Sequence, residues 1–219
     1  MKEILIIAGL SAAGKTVASA EIMERDGRFT TIRSVTTRPP RGDAHDGEYF
    51  YLTEAELISM WERGELCEYM SYAGYMYGTP RSELDRAHRE GKIPLLVLDL
   101  KGVFAFSALS EYNSCMIYLY EDILTVEERL RLRYAPSEGG DGLLRFNSRV
   151  AMNIADAKSL PDVAQSFYAF VKNGASPAQT ADFVLSAFSR FLAGESADVA
   201  GNLAAAESLA EQARAAEKC

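Results

Sequence analysis

Cysteine is scarce in this 219-residue chain: Cys67, Cys115 and Cys219 are odd in number, far apart and never in a C-x-x-C pair. That pattern speaks against a disulfide framework or a cysteine-ligated zinc site and fits free thiols in a reducing cytosol. Positive charge is also short. Lys and Arg number 23 against 31 Asp and Glu, a net charge of −8, which argues against a broad surface for nucleic acid or anionic membrane. Any anion bound here must be met by locally clustered arginine or lysine. The apolar start at residues 4–10 is too short to span a bilayer and lacks the basic flank and small-residue cleavage site of a secretion signal. No internal repeat and no transmembrane run is visible, so a cytoplasmic protein is expected. What is present, 48% hydrophobic and 25% charged residues, is the balance of one substantial globular domain or a core with inserted lobes.

The first informative block is Gly9-Leu10-Ser11-Ala12-Ala13-Gly14-Lys15-Thr16, a full G-x-x-x-x-G-K-[ST] pattern. It follows the apolar run Ile4-Leu5-Ile6-Ile7 and leads into Val17-Ala18-Ser19-Ala20-Glu21-Ile22-Met23, which reads as helix. In a strand–loop–helix setting, successive backbone N–H groups from Gly9 to Thr16 curl around a polyphosphate at the positive end of the helix. Lys15 then reaches the β- and γ-phosphates and the Thr16 hydroxyl ligates Mg²⁺. The chain is expected to bind a nucleoside triphosphate.

Strand and helix signals alternate along most of the chain, pointing to a parallel sheet covered on both faces. Strands are expected at 4–8, 30–35, 48–52, 93–100, 114–120 and 167–171, with a small antiparallel segment at 66–76 turning at Gly74. Helices are expected at 16–24, at 53–63 with Thr53 and Glu56 forming a capping box, from Thr79-Pro80 to 90, and at 125–134, 144–156 and 177–192. Residues 136–142 read as a polar, Gly-rich loop. From about Ala193 the composition shifts to Ala, Glu and Ser, and this stretch reads as a helical or frayed accessory extension that pairs with a second copy or lies along the core.

Two further blocks narrow the chemistry. In Ser34-Val35-Thr36-Thr37-Arg38-Pro39-Pro40-Arg41, two prolines stiffen a loop from which two guanidinium forks project, and such forks suit bidentate phosphate binding. In Glu68-Tyr69-Met70-Ser71-Tyr72-Ala73-Gly74-Tyr75-Met76-Tyr77-Gly78-Thr79-Pro80-Arg81, a carboxylate is followed by tyrosine and threonine. A carboxylate accepts from both the N1–H and the N2 amino group of guanine, and a hydroxyl donates to O6. Adenine would present a lone pair to that carboxylate and be rejected.

With these three blocks in order, the chain resembles the guanylate kinases over roughly residues 3–190. The resemblance implies an α/β P-loop three-layer sandwich: a parallel-sheet core (1–33 and 81–192), an inserted GMP-binding lobe (about 34–80), and a helical lid (about 134–149), with 193–219 as the extension. It implies an enzyme that passes the γ-phosphoryl group of MgATP to GMP, and to dGMP. Arg38, Arg41, Tyr49 and Tyr77 would hold the GMP phosphate, and Ser34, Glu68 and Thr79 the guanine. Gly9, Ser11, Ala12, Ala13, Gly14, Lys15 and Thr16 would hold ATP, with Asn173 near its adenine. Asp99, at the end of the strand Leu95-Leu96-Val97-Leu98, matches a family aspartate that acts on the nucleotide or on Mg²⁺ through water, although a strand-terminal aspartate can equally cap a turn.

Arg129, Arg131 and Arg133 match the entry to the lid. Arg133 and Arg149 are taken as the lid arginines that join Lys15 and Arg38 in catalysis, with Arg145 the alternative to Arg149. Three departures stand out: Ala12 replaces a usual glycine, the stretch between Arg41 and Tyr49 is one residue short, and that between Arg133 and Arg149 is several residues long. ATP, GMP and Mg²⁺ are the expected ligands, with no nucleic acid or membrane, in a monomer or homodimer. Rival readings are an inactive binding module of the same family, a kinase with a ribose-phosphate acceptor, and a P-loop switch or motor.

Overall fold

The computed structural model describes residues 2–40, 42, 44–72, 74–134 and 141–218. Their elements run β1 (Lys2–Ala8), α1 (Lys15–Arg25), β2 (Phe29–Thr31), β3 (Ser34–Thr36), β4 (Tyr49–Tyr51), α2 (Glu54–Glu62), β5 (Leu66–Tyr72), β6 (Tyr75–Pro80) and α3 (Arg81–Arg89). They continue with β7 (Ile93–Val97), α4 (Leu100–Ser107), β8 (Tyr112–Tyr120), α5 (Ile123–Tyr134), α6 (Asp141–Val163), β9 (Ala169–Lys172), α7 (Pro177–Leu192) and α8 (Val199–Ala216). Two compact units result, one of residues 1–6 and 23–114, the other of residues 7–22 and 115–219.

In the first unit β2, β7 and β1 are hydrogen-bonded neighbours in that order, β2 and β7 running parallel with Phe29 opposite Ile93. Its second sheet has the order β4-β3-β6-β5, with β3 parallel to β4 and antiparallel to β6, and β5 antiparallel to β6. One face of this second sheet is apolar. Val35 and Leu66 pack on Leu57 of α2, with Phe50, Leu52, Met60 and Met76 around them. The capping box that starts α2 is present: Thr53 Oγ1 accepts from the Glu56 N–H, and Glu56 accepts from the Thr53 N–H at 2.7 Å. Gly64, at φ +69, ends the segment in a left-handed conformation that costs glycine little.

In the second unit β8 is the hydrogen-bonded neighbour of β9 and runs parallel to it, with Ile117 opposite Ala169. Ile4 to Ala8, Cys115 and Ile117 to Leu119 are fully buried, as expected of strands covered on both faces. Helix α6 packs against α5 and α8. The tail is ordered, and it buries Asn202, Ala206, Leu209, Ala210 and Ala213. Asn202 accepts from the Phe170 N–H and donates to Phe167 O and Tyr168 O, while Gln212 Oε1 accepts from the Ile123 N–H at the start of α5.

Several boundaries differ from those expected. The stretch 30–35 is two strands in two sheets. The chain changes sheet at Arg33, whose N–H donates to Glu83 Oε2 and whose guanidinium lies 4.0 Å from the centre of the Phe50 ring. Thr79 does not start a helix, because β6 runs on through Pro80 and α3 begins at Arg81. The strand at 93–100 stops at Val97. Asp99 instead caps α4, its Oδ1 accepting from the Gly102 N–H at 2.9 Å. Helix α6 is longer than 144–156 and carries Pro161 near its end. The strand at 167–171 begins only at Ala169 because a 3-10 turn at Ala164–Ser166 precedes it and Phe167, edge-on to Tyr118 in the core, caps that turn. Arg41 and most of the loop at 136–142 lie outside the described residues.

Candidate active site

The loop from Gly9 to Thr16 occupies the second unit. Gly9 has φ +153, and a Cβ there would come within 2.1 Å of Leu119 O. Gly14 has φ +102, and its Cβ would meet Asn173 Nδ2 at 2.7 Å. Both positions therefore need glycine. Lys15 Nζ donates to Gly9 O at 2.7 Å and Leu10 O at 2.8 Å, so the ammonium is folded back over the loop at the head of α1. Thr16 follows as an exposed residue in the first turn of α1. Ala12 takes φ +68 and is the one described non-glycine residue with positive φ. For alanine this costs about 1 kcal/mol or more, and it persists only where neighbours hold it.

The neighbours are specific. Asn153 of α6 accepts from the Ser11 N–H at 2.8 Å and donates to Ser11 O at 3.1 Å. Arg129 of α5 donates to Ala12 O at 3.3 Å, and Asn173 donates to Ala13 O at 3.1 Å. Asn173 is itself oriented by Thr180, whose hydroxyl donates to Asn173 Oδ1 at 2.6 Å. Three consecutive residues of the loop are thus each held by a side chain from a different element. Arg133 and Arg145 are exposed and Arg149 is half-buried. By helical spacing Arg129 and Arg133 share one stripe of α5, and Arg145, Arg149 and Asn153 share one stripe of α6.

The acceptor candidates lie in the first unit, on the other face of the β4-β3-β6-β5 sheet. Cross-strand partners share a face. Thr36 pairs with Tyr51 and Tyr77, Ser34 with Tyr49, and Glu68 with Thr79. These residues consequently stand on one face, opposite the apolar face that carries Val35, Phe50 and Leu66. Glu68 reaches that face through a bulge: Leu66 pairs with Pro80 while Glu68 pairs with Thr79. Without the extra residue, Glu68 would fall opposite Gly78 and point into the apolar layer.

Glu68 and Thr79 are 6% and 1% exposed, and Thr79 Oγ1 donates to Glu68 Oε1 at 2.7 Å. Burial raises the Glu68 pKa and the nearby Asp99 charge adds to this, against the Thr79 hydrogen bond. Arg38 is 7% exposed and lies over the Tyr49 ring at 5.4 Å, with Nη2 3.9 Å from Asp46. Tyr49 in turn meets Tyr77 edge-on at 6.1 Å. Asp46, which also accepts from the Tyr51 hydroxyl at 2.6 Å, escaped the sequence reading, as did Asn153.

A sequence profile described as "Guanylate kinase" matches residues 1–139. The chain belongs to the guanylate kinase family. Relatives named guanylate kinase include one from Thermotoga maritima, 36% identical over 152 residues and covering 67% of this chain and 70% of that protein. Another, from Synechocystis sp., is 31% identical, covering 62% of this chain and 72% of its own. A crystal structure of guanylate kinase from Anaplasma phagocytophilum superposes with a TM-score of 0.57 at 21% identity, covering 85% of this chain and 84% of that one, a likeness of fold. In this chain Arg129, Asn153 and Asn173, which hold the loop at 11–13, lie on α5, on α6 and just after β9. Among the described residues no helix is long and apolar enough to cross a membrane.

Proposed function

We propose that this chain transfers the γ-phosphoryl group of MgATP to GMP, and to dGMP, yielding ADP and a guanosine diphosphate. One observation supports this above the others. A single sheet face gathers Ser34, Tyr49, Glu68, Tyr77 and Thr79, next to Arg38. A P-loop switch or motor has no use for such an acceptor face, and a ribose phosphate lacks the adjacent N1–H and N2 donors that match the two oxygens of a buried carboxylate.

In this reading Glu68 accepts from guanine N1–H and the N2 amino group while the Thr79 and Ser34 hydroxyls meet its remaining edge. Arg38, Arg41, Tyr49 and Tyr77 hold the GMP phosphate, and the Arg38 guanidinium, backed by Tyr49, supplies a preset fork. The Lys15 ammonium exchanges its two carbonyl partners for the β- and γ-phosphates as the loop's N–H groups take up the triphosphate, and Asn173 borders the adenine. Thr16, a hydroxyl at a helix start beside phosphate oxygens, fits the hard oxygen ligation that Mg²⁺ prefers. Asp99, whose cap uses Oδ1, would help to hold the nucleotide, or Mg²⁺ through water. Held by Thr16, Mg²⁺ would supply positive charge against the charge that develops on the transferring phosphoryl group. Phosphoryl transfer needs position and cations more than a base, and Arg133 and Arg149, with Arg145 as the alternative, supply cations from the lid. The enzyme works in the cytoplasm as a monomer or homodimer.

ADP formation from MgATP is to be followed with GMP, AMP, UMP and a ribose phosphate, for wild type and Lys15→Ala. GMP-dependent turnover lost in the variant supports the reading. GMP binding with no turnover would make the chain a binding module of its family, and turnover with the ribose phosphate instead would refute the guanine assignment.

A further inference from the structure

Asn153 is 4% exposed on α6 and spends both ends of its amide on one residue of the phosphate loop, Ser11. Ser11 immediately precedes Ala12, the strained residue at φ +68. A buried amide with donor and acceptor both matched to a single backbone residue 142 positions away is a fixed dock. It sets the loop's entry into the strained turn, and it also sets the rotation and height of α6 relative to that loop. Arg149 and Arg145 lie one and two turns earlier on the Asn153 stripe. On α5, Arg129 touches Ala12 O, and Arg133 lies one turn further on. The two helices are joined to each other as well: the Arg131 guanidinium lies 5.8 Å from the Phe146 ring centre.

We propose that Asn153 is a positioning residue that docks the lid helix α6 onto the phosphate loop. It keeps Ala12 in its left-handed conformation and places the α6 arginines in register with the bound triphosphate. This rests on the assignment of Gly9–Thr16 as the ATP loop. Two separable losses are expected when the dock is removed. The loop relaxes, which weakens MgATP binding, and α6 loses its register, which slows transfer. A glycine at position 12 makes the turn cheap without the dock, so it restores the first and leaves the second.

The test uses the whole enzyme in four forms, wild type, Asn153→Ala, Ala12→Gly and the double variant, with Lys15→Ala as control. MgATP Kd is measured by calorimetry and both KM values and kcat by ADP release. Expected in Asn153→Ala are a MgATP Kd raised about 30-fold, as for the loss of two neutral hydrogen bonds, and a lowered kcat, with KM for GMP within about twofold. The double variant regains most of the MgATP affinity and little of kcat. An unchanged MgATP Kd, equal weakening of both substrates alongside a lowered Tm, or an Ala12→Gly effect identical in both backgrounds would overturn the proposal. Should Asn153→Ala fail to fold, the near-isosteric Asn153→Asp, which cannot donate to Ser11 O when ionised, is read the same way. If Lys15→Ala leaves MgATP binding intact, the loop assignment itself is wrong and the inference falls with it. If Lys15→Ala weakens binding and Asn153→Ala does not, only the inference falls.

Discussion

Replacing Glu68 with glutamine should move stability and activity in opposite directions. Glutamine keeps the shape of the side chain and an acceptor for the Thr79 hydroxyl, 2.7 Å away, but removes the charge. In the free protein that charge is buried against the Thr79 hydroxyl, and burial, with the Asp99 charge added, raises its pKa above the ordinary 4.5. The sign of the linkage follows. A raised folded-state pKa contributes stability that is complete below the unfolded value and is lost as pH rises through the folded value. Wild type and Glu68→Gln should therefore be nearly equal in stability at roughly pH 4 and diverge as pH rises, the variant gaining about 1 kcal/mol near pH 7 from the avoided desolvation of a charge. For GMP the balance reverses. A carboxylate accepting from guanine makes charge-assisted bonds worth about 2–3 kcal/mol, so kcat/KM for GMP should fall about 30- to 150-fold, with KM for MgATP little changed. Urea unfolding at the two pH values and steady-state kinetics measure both. A variant less stable than wild type near pH 7, or one that phosphorylates GMP within twofold of wild type, would refute the reasoning.

Ala12→Gly removes left-handed strain of about 1–2 kcal/mol but frees the unfolded chain by about 0.4–1 kcal/mol. Its net effect should be a gain of about 0.5–1 kcal/mol, or about 1–4 °C in Tm, read by calorimetry. Asn202→Ala strands the Phe170 N–H and the Phe167 carbonyl in a buried setting and should cost about 2 kcal/mol, lowering Tm by about 4–8 °C. The same substitution at Ser208, whose exposed hydroxyl accepts from Gln212 Nε2, should cost less than about 0.5 kcal/mol.

What could be read from the sequence was what is written locally. The loop at 9–16, the Thr53–Glu56 capping box and the helix at 177–192, with Ser176 as its cap and a proline at its start, each declare themselves within a few residues. The polar set Ser34, Tyr49, Glu68, Tyr77 and Thr79 came instead from family resemblance, and the sheet brings its members to one face. The misses depend on distant partners. The break between β2 and β3 turns on Glu83, fifty positions beyond Arg33. Helix α4 follows the apolar strand without a break in hydrophobicity, so the strand reads on to Leu100, and the start of α4 depends on the Asp99 cap. The lone Asn153 in mid-helix gives no local sign that it serves Ser11. The tail reads as an accessory extension because it has few large apolar residues, yet small residues are what allow α8 to lie close against α6.

The bulge at Cys67 makes the chemistry of the acceptor face a matter of parity. A strand keeps its two faces apart by odd and even count, and the one extra residue between Leu66 and Glu68 shifts the count for everything that follows in β5. The carboxylate could leave the nucleotide face by a single deletion, with glutamate still written in the gene. Its neighbours would exchange faces with it, bringing Tyr69 across and sending Met70 to the apolar side. In such a sheet, base preference can be gained or lost through the length of a strand, and a comparison of relatives that matches letters without matching that count would credit a guanine reader to a chain that has none.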